Sequence, residues 1–237
     1  MLPLKKVVTS SIGKKYVMGS TGLMLVAFVV VHLIGNLALL RSQGDAFNEY
    51  ADALNALGTL LHILEIGLLG TILLHMTVAL RSAWINQRAR PVGYVMRKTK
   101  GGPSKWNLSS QHMVLTGLII GTFLVFHVLQ FHFGPGMAEG YVAQVKGKQM
   151  RDLYRLVYET FHSKSNVGIY VLVMIFLGFH LRHGFWSAFQ SLGLIYPRLS
   201  KPIYLVGVLV AATLAVGFIT LPLWIYFDIP KLLMVGT

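Results

Sequence analysis

TGLMLVAFVVVH, residues 21–32, decides the reading of this chain because it returns as TGLIIGTFLVFH at residues 116–127. Six positions are identical: Thr21/Thr116, Gly22/Gly117, Leu23/Leu118, Phe28/Phe123, Val30/Val125 and His32/His127. A helix turns about 100° per residue, so the Thr, the Phe seven residues on and the His eleven residues on fall within roughly 20° of one line. Each copy presents one face that ends in an imidazole. Leu and Val are ordinary membrane filler, whereas Thr, Gly, Phe and His are not.

Outward from this repeat, the composition is that of a membrane protein. Of 237 residues, 54% are hydrophobic and 12% charged, with a mean hydropathy of +0.62. The formal charge of +13 raises nucleic acid as a partner, but the Lys and Arg flank apolar runs and line no polar groove. Their role is to set topology. With no cysteine there is no disulfide, no thiolate-held iron–sulfur cluster and no thioether-linked haem. A redox centre here must use other ligands.

Crossing about 30 Å of hydrocarbon takes roughly 20 helical residues. Five apolar runs qualify, near 17–40, 60–85, 111–133, 167–190 and 202–227, predicting a single all-α transmembrane domain over 1–237. Lys5, Lys6, Lys14 and Lys15 before the first run give it the look of a signal peptide. The run is too long, lacks a small-residue cleavage site and is repeated later, so it is expected to stay in the mature protein. The connection between spans II and III carries Arg81, Arg88, Arg90, Arg97, Lys98, Lys100 and Lys105 with no acid, marking it as cytoplasmic. The N-terminus is then inside and the C-terminus outside. The I–II loop, with Arg41 against Asp45, Glu49 and Asp52, fits the outside. The III–IV loop is less tidy, with Lys146, Lys148, Arg151, Arg155 and Lys164 among Glu139, Asp152 and Glu159. It is also placed outside, its YVAQVKGKQMRDLYRLVYETF stretch predicting a short amphipathic helix at the interface.

The second and fourth spans repeat as well. Ser82, Ala83 and Trp84 stand to His75 as Ser187, Ala188 and Phe189 stand to His180. Spans I–II therefore correspond to III–IV, and since matching spans run the same way, the repeat is parallel, about an axis along the membrane normal. At about 1.5 Å per residue, His32 lies roughly 22 Å from the inner start of span I, with His127 level in span III. His75 and His180 come some 20 Å inward from the other surface. The four sort into an outer pair and an inner pair. Thr21, about 16 Å inward of His32 on the same face, reaches the level of the inner pair.

A lone intramembrane histidine is ordinarily a packed, hydrogen-bonded helix contact. Four of them, one per span, level in pairs and related by a repeat, ask for a shared explanation. Two imidazoles from facing helices fill both axial positions of a b-type haem and favour electron transfer over oxygen chemistry. Two pairs give two haems, the outer on His32 and His127, the inner on His75 and His180. Structural zinc would want four converging ligands at one depth, often thiolates.

TGLMLVAFVVVHLIGNLALL followed by GDAFNEYADAL, the HMTVALRSAW segment, TGLIIGTFLVFHVLQF and FHLRHGFWSAFQSLGL closely resemble the di-haem cytochrome b subunit of succinate dehydrogenases and related fumarate reductases, over residues from about 14 to 196. The fifth span fits by position. The resemblance implies a five-helix anchor in the bacterial cytoplasmic membrane, with a flavoprotein subunit and an iron–sulfur subunit docked on its cytoplasmic face. It implies two haem b groups and electron transfer through the inner and then the outer haem to a quinone, usually menaquinone. The family's axial histidines fall on His32, His75, His127 and His180. Succinate and quinone come from the resemblance alone; the residues themselves reach two bis-histidine haems. They also leave open a cofactor-free scaffold or transporter whose histidines cross-link helices, or a cytochrome b serving another soluble dehydrogenase.

Other polar residues are weighed against this frame. His183 lies one turn beyond His180, but only His180 keeps the spacing to Ser187 that His75 keeps to Ser82. His183 is placed at the inner surface, where with Arg182 and Arg81 it is a candidate contact for haem propionates or, equally, a snorkelling or headgroup contact. His112 is similar, while His62, His132 and His162 read as solvated interface residues. Gly22, Gly67, Gly70, Gly117, Gly121, Gly178 and Gly184 suit close helix packing or room for a macrocycle. Glu65, the carboxylate well inside an apolar run, is a candidate proton donor to a quinone, or else an ordinary interface residue. Span IV has no acidic residue between 167 and 190, so it offers no carboxylate for a proton path past the inner haem.

Overall fold

A computed structural model describes residues 10–41, 44–89, 110 and 112–228. Lys5, Lys6 and most of the basic II–III connection, Arg90 to Lys105, lie outside the described residues. Five long helices are apolar enough to cross a membrane: α1 (Ser11–Asn36, extended by a 3-10 turn to Leu40), α3 (Thr59–Arg88), α4 (Met113–Phe131), α6 (Lys164–Ser191) and α7 (Pro197–Tyr226). They fall on the five expected runs and make the chain an all-α, multi-pass membrane protein. Two shorter helices, α2 (Asp45–Asn55) and α5 (Leu153–Phe161), lie in the I–II and III–IV loops.

The chain divides into two compact units. Unit 1 is drawn from Met1–Phe28, Gly67–Leu118 and Gly178–Ala212, unit 2 from Val29–Ile66, Ile119–Leu177 and Thr213–Thr237. In unit 1, Gly19 of α1 lies against the Ala188 backbone of α6, and Gly207 of α7 against the Phe185 ring. Trp186 is buried and meets Tyr204 edge-on at 5.9 Å. Lipid tails are as apolar as leucine, so association between spans rests on such close packing and on polar contacts rather than on hydrophobic burial.

Unit 2 also holds a cap built from the two loops, with a small core of its own. The short amphipathic helix expected within the loop stretch is α5, in its second half. Its first half is a hairpin of β1 (Val142–Val145) and β2 (Lys148–Arg151), antiparallel with Val145 opposite Lys148. Lys146 and Gly147 turn it with φ of 51° and 78°, the paired positive angles that a two-residue hairpin turn requires. Phe47 of α2, Val145, Met150 and Leu156, Val157 and Phe161 of α5 are buried, each worth about 1.5–3 kcal/mol on removal from water.

Polar contacts tie the cap together. The buried Asn48 amide donates to Asp152 Oδ1 (2.9 Å) and accepts from the Tyr154 N–H (2.9 Å), while Asp152 caps α5 through the Arg155 N–H. Lys146 pairs with Glu49 (2.7 Å) and Lys148 with Asp52 (2.6 Å). Arg151 donates to the Phe131, Gly134 and Pro135 carbonyls at the end of α4. Lys146 and Lys148 of the III–IV loop thus meet acids of the I–II loop, and Arg151 meets the carbonyls that end α4. The two loops occupy the same side, as the topology argument requires.

Candidate histidine-pair sites

In unit 2, α1 carries His32 and α4 carries His127 with their ring centroids 5.9 Å apart and planes at 87°. Two imidazoles bound through nitrogen on opposite sides of one metal, at bonds of about 2 Å, have centroids roughly 6 Å apart. The spacing fits a bis-histidine centre. His127 is set in place by aromatic neighbours, with Phe123 at 5.7 Å, Phe131 at 5.2 Å and Tyr170 at 6.0 Å. Tyr170, buried on α6, donates its hydroxyl to Gln130 Oε1 (2.7 Å) and has its oxygen 3.1 Å from His127 Nδ1. With the phenol proton so used, the Tyr170 oxygen is left as an acceptor for a hydrogen on Nδ1, the tautomer that keeps the Nε2 lone pair for a metal. His32 stacks near Phe218 of α7 at 5.8 Å, and its Nε2 lies 3.5 Å from the Asn36 amide nitrogen.

In unit 1, His75 and His180 occupy matching seats. Thr21 Oγ1 lies 3.0 Å from His75 Nδ1, and Thr116 Oγ1 lies 3.1 Å from His180 Nδ1. The next residue is glycine in both cases. A Cβ on Gly22 would meet His75 Cε1 at 3.4 Å, and one on Gly117 would meet His180 Cε1 at 3.3 Å. Each ring therefore lies directly on a bare stretch of helix backbone. The parallel repeat inferred from sequence reappears as the same interhelix contact, α1 to α3 and α4 to α6.

Among the described residues no three His, Cys, Asp or Glu side chains converge as a metal cluster; the imidazoles come in twos. A pair of imidazoles is a donor set that fits the two axial positions of a b-type haem.

The secondary candidates fall less centrally. Arg182 donates to the Tyr204 hydroxyl (2.9 Å), Arg81 is exposed and His183 is half-buried. Gly67 and Gly70 face open space. Glu65 sits between two imidazoles, 3.2 Å from His62 Nδ1 and 3.7 Å from His132 Nδ1, all three partly exposed. His162 bonds Asp228 (3.1 Å), whose carboxylate also accepts from Tyr158.

Sequence reasoning placed Thr21 level with the inner pair but missed its bond to His75, and it missed Tyr170 and Gln130 altogether. The repeated Thr-Gly dipeptide is the signal that points to the first; nothing local marks the second. Comparisons with protein-family models, with curated proteins and with solved structures find no match.

Proposed function

We propose that this chain is the membrane-anchor cytochrome b subunit of a succinate:quinone oxidoreductase, carrying electrons through two bis-histidine b haems to menaquinone or another quinone. One observation carries the reading: the four span histidines fall two to a unit, and the His32–His127 rings stand 5.9 Å apart, a separation that two ligands of one metal would have. Histidines that only joined helices would also make Thr–His bonds between spans; the haem reading gives one shared reason for two histidines in each unit. The motif resemblance over residues 14–196 supplies succinate, the flavoprotein and iron–sulfur partners, and the bacterial cytoplasmic membrane.

Bound b haems supply one-electron transfer with no open position for oxygen. The chain's own part is to hold and orient. His32 and His127 present the outer pair of nitrogens, His75 and His180 the inner pair. Arg182 spends one N–H on Tyr204 and keeps the rest of its guanidinium for a propionate, with Arg81 and His183 as further candidates. Quinone reduction consumes protons as well as electrons, and Glu65 between His62 and His132 forms a surface cluster able to take protons from water and pass them on. The basic II–III connection sets the N-terminus and the partner-docking face in the cytoplasm.

The test is purification under mild detergent. Co-purification with a flavoprotein and an iron–sulfur subunit, and b haem reduced by succinate, is expected. Haem that a different dehydrogenase's substrate reduces and succinate does not would assign the chain to another complex.

A further inference from the structure

The function above leaves Thr21 and Thr116 without a role, although they are two of only four buried polar residues among those described. Threonine inside a span commonly satisfies its hydroxyl on the carbonyl one turn back, and that alone explains nothing more. Both do so here. Thr21 Oγ1 donates to the Val17 carbonyl at 2.7 Å, and Thr116 Oγ1 to the His112 carbonyl at 3.0 Å. A hydroxyl has one proton. Once it is given to the backbone, the oxygen offers only lone pairs to the imidazole nitrogen 3.0–3.1 Å away. That nitrogen must then carry the hydrogen.

Resting on the haem-binding reading, we infer that Thr21 and Thr116 are the positioning residues of the inner haem. Each takes the Nδ1 hydrogen of its histidine, fixes the tautomer and leaves Nε2 of His75 or His180 as the iron-binding atom. The adjoining glycines complete the seat: a Cβ at Gly117 would crowd Cε1 of His180 at 3.3 Å, and one at Gly22 would touch Cε1 of His75 at 3.4 Å. A partner on the distal ring nitrogen orients a ligand and raises its basicity. A more basic axial imidazole favours the oxidised iron, so the two threonines hold the inner potential down. The two seats are related by the repeat, so the two threonines act on the inner haem in the same direction. The opposite tautomer, with Thr donating to Nδ1, would break both backbone bonds and put a hydrogen on the nitrogen that the metal needs.

The experiment is a redox titration of the assembled membrane complex, resolving both haems, for Thr21→Val, Thr116→Val, the double variant and the two Thr→Ser variants. Each Val change is expected to raise the inner potential by up to a tenfold shift in the oxidised-to-reduced ratio, about 59 mV for one electron. The double variant shifts further than either single one, the outer haem is unmoved and serine restores the wild-type value. Loss of the inner haem alone from a Val variant, with recovery in Ser, supports the same role. Haem-loaded Val variants with an unmoved inner potential overturn the inference and leave the proposed function standing, as do loss of both haems together and a Ser variant that behaves like Val. A wild-type complex without haem overturns the function itself.

Discussion

The Tyr170 hydroxyl stands 3.1 Å from His127 Nδ1 while giving its own proton to Gln130 at 2.7 Å. The outer pair therefore has a phenol where the inner pair has threonines. Tyr170→Phe removes that acceptor and leaves a buried imidazole N–H unpaired, at a cost of about 1–3 kcal/mol. The outer haem potential is expected to rise by no more than about 60 mV, the one-electron equivalent of roughly 1.4 kcal/mol. Potentiometry in which only the inner wave moved would contradict the assignment.

Pairing by unit predicts separable losses. His127→Ala is expected to remove the outer haem and spare much of the inner, and His180→Ala to do the reverse. Haem content with two resolved potentials reads this directly. If both variants lost the same haem, the pairs would be wrongly drawn.

Glycines in the same bundle should respond oppositely. Gly117 lies under the His180 ring, so Gly117→Val is expected to displace the imidazole and lower inner-haem content while far-UV helicity is kept. Gly67 faces open space, and Gly67→Ala is expected to be neutral or to stabilise its helix by up to about 1 kcal/mol. Equal haem loss from both would show that backbone flexibility, not the seat, is at stake.

The exposed clasp on the cap has a pH window. The Tyr141 hydroxyl and then the Arg155 guanidinium donate to Glu159 and hold its carboxyl below its ordinary value, while the same bond raises the Tyr141 phenol. A depressed carboxyl contributes stability above its unfolded value of about 4.3, lost as pH falls through the folded one. A raised phenol contributes below about 10, lost as pH rises through its folded value. Amide protection around residues 141–159, taken as the exchange rate relative to that of an unfolded chain at the same pH, is expected to be greatest between about pH 5 and 9 and to fall on both sides. A flat profile would contradict the clasp.

The spans and the four histidines were legible because both are written in periodicity. Apolar runs of the right length give helices, and a repeated line of Thr, Phe and His gives a face. What one helix does to another was not legible. Thr21 could be placed level with the inner pair, but its bond to His75 depends on how α1 meets α3. Tyr170 reads as one more aromatic in a span until α4 brings His127 to it. The III–IV loop looked too basic because its counter-charges, Glu49 and Asp52, lie some hundred residues away. Its hairpin went unread because the turn at Lys146-Gly147 sits inside a stretch whose second half is truly helical.

The central claim is that the paired imidazoles hold haem iron. The most direct measurement is the reduced-minus-oxidised optical spectrum of the purified protein, with haem determined against protein. Low-spin b-type bands at two haems per chain are predicted. A colourless protein of full helical content, produced with haem in supply, would contradict it.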